Sequence, residues 1–215
     1  ISLQAEAIKR KLSQTEQNES AITSIDKISL QLGKLSELVT NLRKLFSADH
    51  DQFESLRLQQ LSDEMIEIME LTLKNKKIHF EKNYLANPVV WGDAIQIQQV
   101  LINMFNNAID ALVEKSGHAA RIAIYGQVQS DWVELRIADN GCGMDDKTLS
   151  KIFDPFFTTK SPGQGTGLGL SVTLGIVQRH GGTITAQSEL GAGTCFRVTL
   201  PIHQPPANRS AKETA

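Results

Sequence analysis

"FDPFFTTKSPGQGTGLGLSV", residues 153–172, runs from an aromatic cluster through a stretch poor in apolar residues into three glycines at alternate positions, Gly165, Gly167 and Gly169. Each glycine loses more backbone freedom on ordering than any other residue, so a segment of this composition is costly to fix. Something must order it. The apolar run from Leu168 onward predicts a helix through Val177. Glycines leading into a helix start bring free N–H groups and the positive end of the dipole to one place, which suits a phosphate chain. Lys160 adds a cation at the end of "FFTTK". The Gly-Lys-Ser/Thr ending of a Walker loop is missing, so the segment alone leaves open a phosphate cradle and a plain glycine-rich turn.

Working outward, "DAIQIQQVLINMFNNAIDAL", residues 93–112, predicts a helix from Asp93 to about Lys115 with Ile95, Val100, Leu101, Met104, Phe105, Ala108 and Leu112 as its buried stripe. Asn103 and Asn107 sit four apart on one face of it. They are either solvent-exposed or satisfied amides, or they face a ligand, with the Asn107 oxygen turned to a hard cation such as Mg²⁺ that is shared with phosphate oxygens. The alternating runs "RIAIYGQV" and "WVELRIAD", joined by "QSD", predict an antiparallel hairpin. "ADNGCGM" follows the second of them. Asp-Asn-Gly makes a turn unaided. Alternatively, Asp139 accepts a hydrogen bond from an exocyclic amine while Gly141 and Gly143 let a flat ring approach the backbone. Such a bond is worth roughly 1.5–3 kcal/mol, enough to favour adenine over guanine by one to two orders of magnitude.

The rest of the chain bounds these readings. Its 215 residues, 40% hydrophobic and 21% charged, suit one large or two small globular domains. A formal charge of −2 gives no pull toward nucleic acid or anionic lipid. The most apolar run, Leu168 to Val177, is half of the ~20 residues that span a bilayer. Cys142 and Cys195 match no metal spacing and read as reduced thiols. From Ile25 to Phe46 a heptad places Ile25, Leu32, Val39 and Phe46 on one row and Ile28, Leu35 and Leu42 on the other. With a first helix over Ile1 to Leu12 it predicts a helical hairpin over 1–48, whose leftover apolar surface suits a four-helix dimer. "SADHDQ" breaks the heptad, which places a hinge at 49–55. Beyond it come a helix over Leu61 to Lys74, a strand over Ile78 to Tyr84, and, after the glycine-rich segment, strands "GTITAQS" and "TCFRVTL". The polar tail, 203–215, reads as disordered.

The conjunction and order of these motifs is more specific than any one of them. The sequence resembles the catalytic and ATP-binding domain of sensor histidine kinases, in the superfamily that also includes gyrase, Hsp90 and MutL. "LINMFNNAIDAL" is similar to the N box, "DNGCGM" to the G1 box, "FDPFFTTK" to the F box and "GTGLGL" to the G2 box. "RHGGTI" and "GAGTCFRVTLP" match the usual ending. The resemblance implies an α+β fold, a two-layer sandwich of a mixed sheet covered by helices (the Bergerat ATP-binding fold), over residues 56–202. It implies ATP and Mg²⁺ as cofactors, and makes the glycine-rich segment an ATP lid ordered by nucleotide.

Carried over by residue, the resemblance makes Asp139 the adenine-reading carboxylate, with Thr194 supporting the base through water. Asn103 and Asn107 would face the triphosphate, Asn107 on Mg²⁺. Gly165, Thr166, Gly167, Leu168 and Gly169 would wrap the phosphates, and Lys160 would reach the γ-phosphate. Phe153, Phe156 and Phe157 would anchor the lid or simply pack in the core. The hydrolytic members resembled here put a glutamate where this chain has Asn103, and an amide cannot activate water. Phosphoryl transfer to a protein side chain is therefore expected, with Asn103 and Lys160 assigned to catalysis. The alternatives are an ATP-gated dimeric scaffold and an ATPase of the same superfamily.

Sensor kinases carry a phosphoacceptor histidine on the first helix of the hairpin. None of His50, His79, His118, His180 and His203 heads a helix beside an acidic neighbour. Ile1 opens in mid-helix, so the acceptor is expected upstream and these residues alone are not expected to phosphorylate themselves. The expected partners are a second copy through the hairpin and the receiver domain of a response regulator, with no nucleic acid and no membrane contact. The expected location is the cytoplasmic part of a bacterial inner-membrane protein.

Overall fold

The computed structural model of the chain describes Ile25 and residues 52–84, 88–114, 119–161 and 165–202. The hairpin apart from Ile25, its four-helix dimer, residues 49–51 of the hinge and the tail over 203–215 lie outside the described residues. In chain order the elements are β1 (Phe53–Arg57), α1 (Leu58–Asn75), β2 (His79–Tyr84), β3 (Val89–Asp93), α2 (Ala94–Glu114), β4 (Arg121–Gln129), β5 (Trp132–Asp139), α3 (Asp146–Leu149), α4 (Gly169–Arg179), β6 (Thr183–Glu189) and β7 (Gly193–Pro201).

A five-stranded sheet runs β2-β4-β5-β7-β6. Strands β2 and β4 are parallel, and the other neighbours are antiparallel. A parallel pair needs a crossover, which here runs through β3 and α2. The expected β4–β5 hairpin closes with Gln129 opposite Trp132, and Ser130 takes a left-handed φ of 52° in its two-residue turn.

Alternation along the strands makes the two layers. Ile122 and Ile124 of β4, Val133, Leu135 and Ile137 of β5, and Phe196, Val198 and Leu200 of β7 are buried against the helices in one apolar cluster. From α2 that cluster takes Ile97, Leu101, Met104, Phe105 and Ala108. Burying a side chain such as Leu101 or Phe105 contributes about 1.5–3 kcal/mol. The stripe expected on α2 is corrected at one position: Ile95 is 70% exposed, and Ile97 is buried instead. Two residues are about 200° of helix, so both cannot face the sheet. On the opposite face of the sheet Glu134 is buried among polar partners, 2.9 Å from Arg136 and 3.3 Å from Arg197, and accepts from Gln127 Nε2 at 2.8 Å. At the edge of the β4 surface, burial pushes the Tyr84 phenol up to about 12.

The expected hinge needs correction at its C-terminal end. Phe53–Ser55 form the first part of β1, which pairs antiparallel with β3, Phe53 opposite Asp93. The Phe53 ring stacks on His180 with centroids 4.8 Å apart. His180, at the C-cap of α4, accepts from the Asp93 N–H through Nε2 at 3.0 Å, while its Nδ1 lies 2.8 Å from the Ile176 carbonyl. The Asp93 carboxylate in turn accepts from the N–H groups of Gln52 and Gln96, at 3.3 and 3.0 Å. The chain thus joins the domain where α2 begins and α4 ends.

Candidate functional site

Helix α2 buries one face on the sheet and turns another toward the glycine-rich segment. Residues three and four apart share a face, and Asn103, Asn106, Asn107, Asp110 and Ala111 line one wall of a cavity of about 640 Å³. That volume falls within the range of small-molecule sites. The same cavity is lined by Asp139, Gly143, Lys160, Gly165, Thr166, Gly167, Gly169 and Thr194. Residues spread over some 90 positions of sequence therefore line one cavity.

The cavity has two ends of different chemistry. Ala111, Met144, Ile152 and Phe196 give one end apolar walls around Asp139 and Thr194. Asp139 is the last residue of β5 and lies opposite Thr194 of β7. Its Oδ1 accepts from the Gly141 N–H at 2.8 Å and the Thr194 N–H at 3.3 Å, which aims the carboxylate. Ser188, which sequence reasoning did not single out, ties this corner: its hydroxyl donates to the Gly193 carbonyl at 2.9 Å, accepts from the Met144 N–H at 2.8 Å and sits 2.9 Å from Thr194 Oγ1. A flat base between apolar walls, with one oriented carboxylate to read an amine, fits this end.

At the other end, Asn103, Asn107, Thr158, Lys160, Gly165, Thr166, Gly167 and Gly169 surround space suited to phosphate. Leu168 caps α4 without a side-chain hydrogen bond, so the first-turn N–H groups of that helix are left for a ligand. Asn103 does more than face the cavity. Its Nδ2 donates to the Gly169 carbonyl at 3.0 Å and to Thr173 Oγ1 at 3.1 Å, and its Oδ1 accepts from Gln99 at 3.0 Å. It fastens α2 to the start of α4. The lysine expected to reach a phosphate is ion-paired with Asp110. Among the described residues no group of three or more His, Cys, Asp and Glu could hold a metal alone. Mg²⁺ bound through an Asn oxygen and substrate phosphates needs no such cluster.

Two expected residues are not brought to the cavity wall. Leu168 is fully buried in the core beneath it. Gly141 backs onto α2, where an added Cβ would lie 2.8 Å from Ala111. Gly143 does line the wall, yet its φ of 64° and the 1.9 Å that would separate a Cβ from the Glu189 carbonyl show that close approach of the chain to itself demands glycine there. Of the three phenylalanines, Phe153 and Phe157 pack against the core, whereas Phe156 is 63% exposed. Phe156 holds a left-handed φ of 67° and donates its N–H to the Gly167 carbonyl at 2.9 Å. Cys142 lines the cavity, and it is not joined to Cys195, whose thiol burial pushes up.

The family described as histidine kinase-, DNA gyrase B- and HSP90-like ATPase matches residues 92–204, more than half of the 215. The chain belongs to this family. Membership of this family implies that the domain binds ATP. The two-component sensor PprA of Pseudomonas aeruginosa is 48% identical over 54% of this chain and 13% of its own length. The sensor histidine kinase ZraS of Escherichia coli is 31% identical over 79% of this chain and 36% of its own. The chain thus spans little more than a third, or less, of these relatives. Among solved structures, the catalytic domain of histidine kinase ThkA superposes with a TM-score of 0.62 at 32% identity, covering 70% of this chain and 96% of that one. Histidine kinase AdeS of Acinetobacter baumannii, at 24% identity, shares the fold with a TM-score of 0.69 over 93% of this chain and 96% of that one. Among the described residues no helix is long and apolar enough to cross a membrane.

Proposed function

We propose that the chain is the Mg-ATP-binding kinase core of a two-component sensor histidine kinase. It passes the γ-phosphate to a histidine on a dimerisation helix, for onward transfer to the receiver domain of a response regulator. The observation that carries this reading is the meeting of Asp139, Asn107, Lys160 and Gly167 on the walls of one cavity, with apolar side chains around Asp139 and amide, ammonium and backbone N–H groups toward α4.

In this reading Asp139 accepts from the adenine amine, and Thr194 supports the base through water. Asn107 offers its side-chain oxygen to Mg²⁺, which when bound neutralises the phosphate oxygens. Gly165, Thr166, Gly167 and Gly169 present backbone and hydroxyl groups along the phosphates, and Lys160 brings an ammonium to the terminal one. Fixed donors aimed at developing charge are the main source of catalysis in phosphoryl transfer. Asn103 orients the start of α4 and takes no proton, which favours transfer over hydrolysis. The helical hairpin makes the homodimer, and the domain works on the cytoplasmic side of a bacterial inner-membrane sensor.

The test supplies labelled ATP, Mg²⁺ and a separate hairpin bearing the acceptor histidine. Acid-labile phosphate on that hairpin is the expected result. ATP binding with an unlabelled hairpin would point instead to a nucleotide-gated scaffold, and steady phosphate release with no hairpin present to an ATPase.

A further inference from the structure

Lys160 crosses the phosphate end of the cavity between two constraints. Its aliphatic stem lies along Gly165, where an added Cβ would come within 3.1 Å of Lys160 Cδ and 3.3 Å of its Cβ. Its ammonium pairs with Asp110 Oδ2, across the cavity on α2. Asp110 stands three residues beyond Asn107 on the same helix face and lines the same cavity. A carboxylate on that wall, if bare, would repel a polyphosphate. Paired with Lys160 it presents no net charge. The side chains are 27% and 48% exposed, and an ion pair so open to solvent is weak. Phosphate oxygens carrying several negative charges can take the ammonium from it.

We propose that Asp110 is a positioning residue for Lys160, holding the ammonium over the phosphate end of the cavity and surrendering it to the polyphosphate when nucleotide binds. The proposal rests on the nucleotide reading above. It makes the two residues interdependent toward phosphate and indifferent toward the base.

The test measures ATP and adenosine affinities for the whole chain, D110N, K160Q and the double variant. K160Q leaves Asp110 bare beside the phosphates, so ATP binding falls, and adding D110N recovers about fivefold of the loss, a coupling of the size found between contacting groups. Adenosine binds all four proteins alike. A merely structural part for Asp110 would move both ligands together. ATP effects that multiply independently, or an equal loss with adenosine, overturn the proposal while leaving the nucleotide reading intact. Failure of the unsubstituted chain to bind ATP overturns both.

Discussion

At the Asp139 end of the cavity the polar groups are held by paired strands, whereas at the Lys160 end they stand on a helix and on the segment leading into α4. The carboxylate of Asp139 is aimed by two backbone N–H groups, and Ser188 bonds β6 to the start of β7 and to Met144. At the far end Phe156 holds a strained left-handed φ of 67°, a conformation that only glycines take at the Asp139 end. The difference follows the chemistry of what each end meets. A hydrogen bond to a base weakens steeply with misalignment, so its acceptor must be fixed. Attraction between an ammonium and a phosphate falls off slowly with distance and tolerates movement.

Single substitutions separate the two ends. The largest effect is expected for Asp139→Asn, which keeps the shape but turns half of the acceptor into a donor. ATP and adenosine should both weaken by about 1.5–3 kcal/mol, measured by calorimetry. Retained adenosine binding would show that the base is read elsewhere. Gly167→Ala comes next. Its added methyl must accept a left-handed backbone and lie 2.4 Å from the Phe156 carbonyl carbon. ATP should weaken by about 1–2 kcal/mol with adenosine unmoved, and an equal loss for adenosine would erase the distinction between the two ends.

The smallest effect is a pH response of α3, whose residue Thr148 lines the cavity. Asp145 caps this helix by accepting from the Thr148 N–H at 2.7 Å, and bonds to Thr148 hold its carboxyl below the ordinary 3.8. A group lowered in the fold stabilises at pH above its ordinary value and loses that contribution as pH falls through the depressed one. The Thr148 amide resonance should therefore shift only under acid conditions below 3.8. A shift near neutrality would remove Asp145 as the cap.

What the sequence made legible was whatever repeats locally. The β4–β5 hairpin announces itself by alternation, α2 by its apolar period, and the glycine-rich run by composition. Strands β1 and β3, five residues each, carry too little period to stand out, and their stability comes from pairing residues 40 apart, Phe53 with Asp93. The partner of Lys160 lies 50 residues away, so no local signal joined it to Asp110, although Asp110 shares a helix face with Asn107. Gly141 stands two residues from Asp139 in a motif that suits a ligand, yet the structure packs it on Ala111. Sequence shows that a position needs glycine, and only packing shows which neighbour demands it.

The seating of β1 has a mechanical meaning. Gln52 bonds to Asp93, the residue just before α2, and Phe53 stacks on His180, the C-cap of α4. The two helices are joined again by Asn103, which donates from the middle of α2 to the Gly169 carbonyl at the first residue of α4. The strand through which the chain enters the domain is thereby fastened to the same two helices whose residues line the cavity.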